Sequence, residues 1–172
     1  MVPFKRLPGR GRTHQPVADI RSIGPRCGNG RYAARIEWIK RQVRDELDKF
    51  PAVAILGPRQ CGKTTLAQQF HGVYFDMEIE GSEARLDAEW ETLVNGNTLI
   101  VIDEAQQTPW IFSRLRGTID SERKRNGRFL VLGSVSPTLM KNVSESLAGR
   151  MGIVHMTPFI LPELKAGLLD DM

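Results

Sequence analysis

A chain of 172 residues, 41% apolar and 26% charged, can bury one proper core and has the balance of an ordinary globular protein. No run reaches the roughly 18 to 20 apolar residues of a membrane span, so no membrane role is expected. The net charge of +4 is unevenly placed: eight basic residues and one acid lie up to Arg35, leaving sixteen basic against nineteen acidic residues after it. That imbalance removes the usual whole-domain argument for a nucleic-acid-binding fold.

Residues 1–30 are rich in Gly, Pro and Arg, have no apolar period, and are expected to form a disordered basic tail. A nucleic-acid-contacting arm or an Arg-rich transit peptide is the alternative for this stretch. No apolar core of a secretory signal is present there. Cys27 and Cys61 form no CxxC or Cys/His cluster, which argues against zinc or a disulfide framework and fits a reducing, cytoplasmic setting.

The pattern changes at Ile36. Ile36, Ile39, Val43, Leu47 and Phe50 recur at helical spacing, Glu37/Arg41, Arg41/Asp45 and Arg44/Asp48 can pair at i,i+4, and Pro51 ends the helix. Ala52–Leu56 is a continuous apolar run, as in a strand buried on both faces. A helix is predicted over Lys63–Phe70, a strand at Val73–Phe75, a helix over Glu83–Val94 and a strand at Thr98–Ile102. A helix over Trp110–Arg123, a turn at Asn126-Gly127, a strand at Arg128–Leu132, a largely helical Ser136–Leu147 and a short strand at Gly152–Met156 complete the series. Trp38, Trp90 and Trp110 make no stacking stripe and are expected to be packing residues. Alternating strands and helices predict an α/β fold: a three-layer core, its mainly parallel sheet of about five strands covered by helices on both faces.

Gly57-Pro58-Arg59-Gln60-Cys61-Gly62-Lys63-Thr64 satisfies the whole phosphate-loop pattern, with a buried strand before it and a helix after it. The glycines allow a tight turn that aims backbone N–H groups at phosphate oxygens, and the helix N-terminus favours the anion. Lys63 supplies a compact charge for the β- and γ-phosphates, Thr64 a hydroxyl ligand for Mg²⁺, and Thr65 reaches the α-phosphate side. Arg59 is placed to contact phosphate or nearby carboxylates. Cys61 fills space beside the loop; a redox switch is its alternative role.

Forty residues beyond Lys63, the strand ending at Ile102 runs into Asp103-Glu104. Asp103 is expected to hold Mg²⁺ through its water shell, and Glu104 to polarise the attacking water. An N-cap by Asp103 is compatible with that role. Phe129–Leu132 leads to Gly133-Ser134, where a hydroxyl could bond the water or the γ-phosphate; a plain Gly-Ser turn is the alternative. Arg150 could stabilise phosphoryl charge, in cis or from a neighbouring subunit, or simply close a salt bridge.

These motifs together resemble a prokaryotic AAA-like P-loop ATPase family whose members join an N-terminal AAA domain to a C-terminal domain of unknown function. The resemblance rests on the loop through Ala67, on Tyr74-Phe75-Asp76, Ile102-Asp103-Glu104-Ala105-Gln106, Leu132-Gly133-Ser134 and Ser146-Leu147-Ala148-Gly149-Arg150, and on Pro158-Phe159 with Leu161, Glu163 and Leu164. It implies a sensor strand between the loop strand and the Asp-Glu strand, and ATP rather than GTP; no Asn-Lys-x-Asp guanine-reading motif follows the fourth strand. It implies an ATPase domain over residues 31–160, with 161–172 beginning a C-terminal region that is otherwise missing.

The expected function is Mg-dependent ATP hydrolysis coupled to an unspecified conformational output, with a protein partner or a second copy of the chain as candidate partners. The alternatives are a nucleotide-binding remnant without effective turnover and a nucleic-acid-associated protein acting through the basic tail. A small-molecule kinase is weaker, for want of an Arg-rich lid.

Overall fold

The computed structural model describes residues 30–135, 143 and 145–158, with side chains from Ala34. The tail predicted for 1–30 (save its last residue), most of the helix expected over Ser136–Leu147 and the segment 161–172 lie outside the described residues. Among the described residues, no helix is long and apolar enough to cross a membrane.

Helix α1 spans Gly30–Lys49, beginning ahead of the apolar period that announces it. It stops before Pro51, which has no N–H to donate and disfavours helical geometry in the residue before it. Among the described residues its ion pairs include Glu37–Lys40 and Glu46–Lys49 at i,i+3, rather than the expected i,i+4 pairs. Exposed pairs of this kind exchange at little cost, so the helix depends on its buried stripe instead.

The chain then alternates as anticipated: β1 Ala52–Leu56, α2 Lys63–Ala67, β2 Gly72–Asp76, α3 Ser82–Asn95, β3 Leu99–Asp103, a 3-10 turn Ala105–Gln107, α4 Trp110–Ser121, β4 Phe129–Gly133 and β5 Met151–His155. Two predicted helices are shorter than expected. α2 ends at Ala67 and continues to Phe70 only as i,i+3 turns (Gln69 N–H to Leu66, Phe70 N–H to Ala67). α4 ends at Ser121, and Arg125 N–H bonds Glu122 in the turn that follows. In both places the chain must reverse within a few residues to start the next strand.

All strand pairings are parallel, in the order β2-β3-β4-β1-β5. β1 and β4 are buried along their whole length, which is why they read as unbroken apolar runs. Alternate residues serve opposite faces. Val53 and Ile55 pack with Leu130, Leu132, Ile39 and Val43 of α1, and Leu66 of α2. Ala54 and Leu56 pack with Phe129, Val131, Trp90 of α3, and Phe112 and Leu115 of α4. Each fully buried large side chain of this kind contributes roughly 1.5–3 kcal/mol. The result is the three-layer α/β/α core that the alternation of elements implied.

The tryptophans divide. Trp90 is buried and stacks on Phe129 at 5.9 Å, and Trp110 packs at the margin of the same cluster. Trp38 is exposed and is not the packing residue expected, because it lies off the α1 stripe formed by Ile36, Ile39 and Val43.

Candidate nucleotide site

In a parallel sheet every strand ends at the same edge, and ligands collect where strand order reverses. Here β1 and β3 are separated by β4, so that edge carries the Gly57–Thr64 loop after β1, Ser134 after β4 and Asp103-Glu104 at the end of β3. The sensor strand does lie between the other two, as the family resemblance implied.

The loop is held by its glycines. A Cβ on Gly57 would sit 2.2 Å from the Met156 carbonyl oxygen and 2.7 Å from Cys61 Sγ, so only a bare Cα lets β5's exit and the loop approach this closely. Gly62 has φ +90°, which L side chains rarely adopt. Gln60 also has positive φ, 62°, a strained conformation that functional loops retain at a cost of about 1–3 kcal/mol. Gly57→Ala is therefore expected to destabilise the chain by about 1–3 kcal/mol. Denaturant unfolding would check this; a variant as stable as the parent would mean the loop relaxes freely.

Lys63 opens α2 and is only 4% exposed. Its ammonium donates to the Gly57 carbonyl at 3.1 Å and the Pro58 carbonyl at 3.0 Å, so it lies across the inside of the loop. Cys61 is buried, consistent with its space-filling role. Arg59 is exposed and pairs with Glu78 at 2.7 Å, a carboxylate just after β2. Thr65 is exposed on the first turn of α2.

α2 runs over β4. That crossing carries Thr64 to the strand beyond, where its Oγ1 donates to Asp103 Oδ2 at 2.7 Å. Asp103 is 2% exposed, and its Oδ1 accepts the Glu104 N–H at 2.8 Å. The Tyr74 hydroxyl donates to the same Oδ2. Burial, then its bond to Asp103, raises the Tyr74 pKa well above the ordinary phenol value, so it remains a neutral donor. Tyr74 was legible only as part of a family segment, because nothing in strand periodicity says that a tyrosine two registers away reaches a carboxylate.

Glu104 is half-buried with φ 50°, and its carboxylate accepts a bond from the Gln106 side-chain amide. The Gln106 Oε1 and Ser134 Oγ atoms are both buried without a hydrogen-bond partner among the described residues. The 3-10 turn that carries Gln106 packs against β4, the strand that ends at Ser134. An orphaned buried hydroxyl costs about 1–3 kcal/mol, which argues against a plain Gly-Ser turn.

Arg150 is not brought to this edge. It precedes Met151, which is in register with Ala52 at the start of β1, the opposite end of the sheet. There it holds Asp120 of α4 by two bonds, Nε–Oδ1 at 2.8 Å and Nη2–Oδ2 at 3.1 Å. The Arg150 bonds hold the Asp120 carboxyl below the usual carboxylate range. The cis role suggested for Arg150 is thus corrected to the salt bridge weighed beside it: a residue before a parallel strand lies a strand's length from the residues after it.

The donors fit Mg²⁺ with a nucleotide. One carboxylate and one hydroxyl, both oxygen, match a small hard cation that keeps waters and takes phosphate oxygens for its remaining positions. No group of three or more His, Cys, Asp or Glu that could cage a metal occurs among the described residues. The glycine-lined turn and buried ammonium suit a polyphosphate.

A family model described as an AAA domain matches residues 49–165. Uncharacterized proteins of Mycobacterium bovis and Mycobacterium tuberculosis are each 37% identical over 135 residues, covering 76% of this chain. The chain spans about 30% of the length of these relatives. Among solved structures, a Walker-type ATPase of Pyrococcus abyssi aligns with TM-score 0.57 and 18% identity, covering 74% of this chain and 54% of that one. That likeness is one of fold.

Proposed function

Because the chain belongs to the AAA domain family, we propose that it binds Mg·ATP at the Gly57–Thr64 loop and hydrolyses it with Glu104. The observation that carries this reading is the bond from Thr64 Oγ1 to Asp103 Oδ2 at 2.7 Å, next to a buried Lys63. It joins the first turn after the loop to the carboxylate of β3, the spacing at which one cation can be shared between protein and phosphate.

In this reading the loop N–H groups and the α2 terminus receive the phosphates. Lys63 leaves the Gly57 and Pro58 carbonyls for the β- and γ-phosphate oxygens. Thr64 and Asp103 hold the Mg²⁺, which when bound neutralises charge on those oxygens. Glu104 orients a water for attack and takes up its proton. Ser134 gives its unpartnered hydroxyl to that water or to the γ-phosphate. Arg59, exposed beside the loop, remains available to phosphate in exchange for Glu78.

A second reading, a nucleotide-binding module with little turnover, is favoured by one contact: Gln106 holds the Glu104 carboxylate. The bond must open before Glu104 can accept a water proton. Any output of the ATP cycle, any protein partner or second copy, and any contribution of Arg150 in trans belong to the proposal as well.

Thermal unfolding with Mg·ATP and Mg·GTP tests the binding. At a hundredfold excess over Kd, ATP should stabilise by about 2.7 kcal/mol, a rise of roughly 5–10 °C for a chain of this size, with GTP giving less. An unchanged transition with ATP would overturn the reading.

A further inference from the structure

Asp103 takes bonds from three separate parts of the fold: Thr64 in α2, Tyr74 in β2 and the Glu104 backbone. Tyr74 is in register with Val101, so it stands on the same face of the sheet as Asp103, two residues on. At that diagonal spacing a long aromatic side chain reaches its neighbour. Asp103 is the last residue of β3, and the broad rotation about a carboxylate's final torsion would otherwise leave its oxygens free to turn.

The three donors divide the work. The Thr64 hydroxyl can offer a lone pair to a metal while its proton stays on Asp103, but it then serves two partners at once. The Glu104 N–H reaches only Oδ1. The Tyr74 hydroxyl, which comes from the edge strand and has no part in phosphate binding, can hold Oδ2 throughout.

We propose that Tyr74 is a positioning residue for the divalent-cation site: its hydroxyl fixes Asp103 Oδ2 beside Thr64 Oγ1, so the cation accompanying the nucleotide meets a carboxylate already oriented towards it. This rests on the Mg·ATP reading and extends it to a residue of β2, outside the phosphate loop and the Asp103-Glu104 pair.

The test is a Mg²⁺ titration of the full chain with a fluorescent ATP analogue, read by anisotropy, beside a metal-free titration in EDTA. Tyr74→Phe keeps the ring and removes only the oxygen. It should raise the Mg²⁺ midpoint about tenfold, the scale of one hydrogen bond to a charged group, and leave metal-free affinity within about twofold. In an Asp103→Asn background the same change should shift the midpoint less than about twofold, because the two residues act as one unit. If the phenylalanine variant does not fold, Tyr74→Met fills the same space with a flexible apolar chain and repeats the comparison.

An unchanged Mg²⁺ midpoint in a parent chain that binds nucleotide would overturn the positioning role. An equal loss with and without metal would do the same, since it would mark Tyr74 as packing. A parent chain that binds no nucleotide at all would overturn the Mg·ATP reading itself, and this inference with it.

Discussion

Glu104→Gln should lower the ATP turnover rate by about two to four orders of magnitude while nucleotide affinity stays within a few-fold of the parent. The substitution preserves size and hydrogen-bonding reach but removes the group that can take a proton from water. The separation of effects follows from the site. Asp103 and Thr64 hold each other directly, whereas Glu104 follows with its backbone in the left-handed region and its carboxylate bound to Gln106 instead. Removing the Glu104 charge therefore leaves the Thr64–Asp103 pair untouched. Single-turnover hydrolysis, run beside a binding titration, makes the comparison. A glutamine variant as fast as the parent would reject Glu104 as the base; a parent with no turnover above background would favour the binding-module reading.

Lys63→Ala should weaken ATP binding at least a hundredfold, about 2.7 kcal/mol or more, and abolish the stabilisation of the fold by Mg·ATP. The lost interaction is a charge-assisted one made in a confined, partly desolvated place, where it is stronger than at an open surface. The fold itself should change little. Alanine is a good helix former, and the substitution removes a buried charge along with its bonds to the Gly57 and Pro58 carbonyls. Circular dichroism would establish that the variant is folded, and the same anisotropy titration would read its affinity. Retention of affinity within threefold would mean that the loop does not bind phosphate through this residue.

The candidate site was largely written in order along the chain. The loop pattern needs glycine at 62 for a backbone reason that holds in any context, its positive φ, whereas glycine at 57 also answers to the Met156 carbonyl far along the chain. A buried apolar strand ending in two acids is equally local, as is β1 with its five consecutive buried residues. Arg150 was misplaced because sequence order does not say which end of a strand a residue occupies, and its partner Asp120 is thirty positions away. Trp38 was misjudged because residue type outweighed helical phase: two positions from Ile36 is nearly the far side of the turn. The short α2 escaped because a helix end decided by the next strand's starting point has no capping signal of its own.

Alternation of apolar runs with helical periods determined the α/β class, the parallel sheet and the phosphate loop, since these follow from burial on two faces and from backbone sterics within a few residues. Only the tertiary structure decided which strands are neighbours, and with that which side chains meet. Thr64 bonds Asp103 because α2 crosses β4, and Tyr74 joins them because β2 lies in register beside β3. Those contacts span 39 and 29 residues of chain, and hydrogen bonds of that separation are set by strand order and register, which no local pattern encodes.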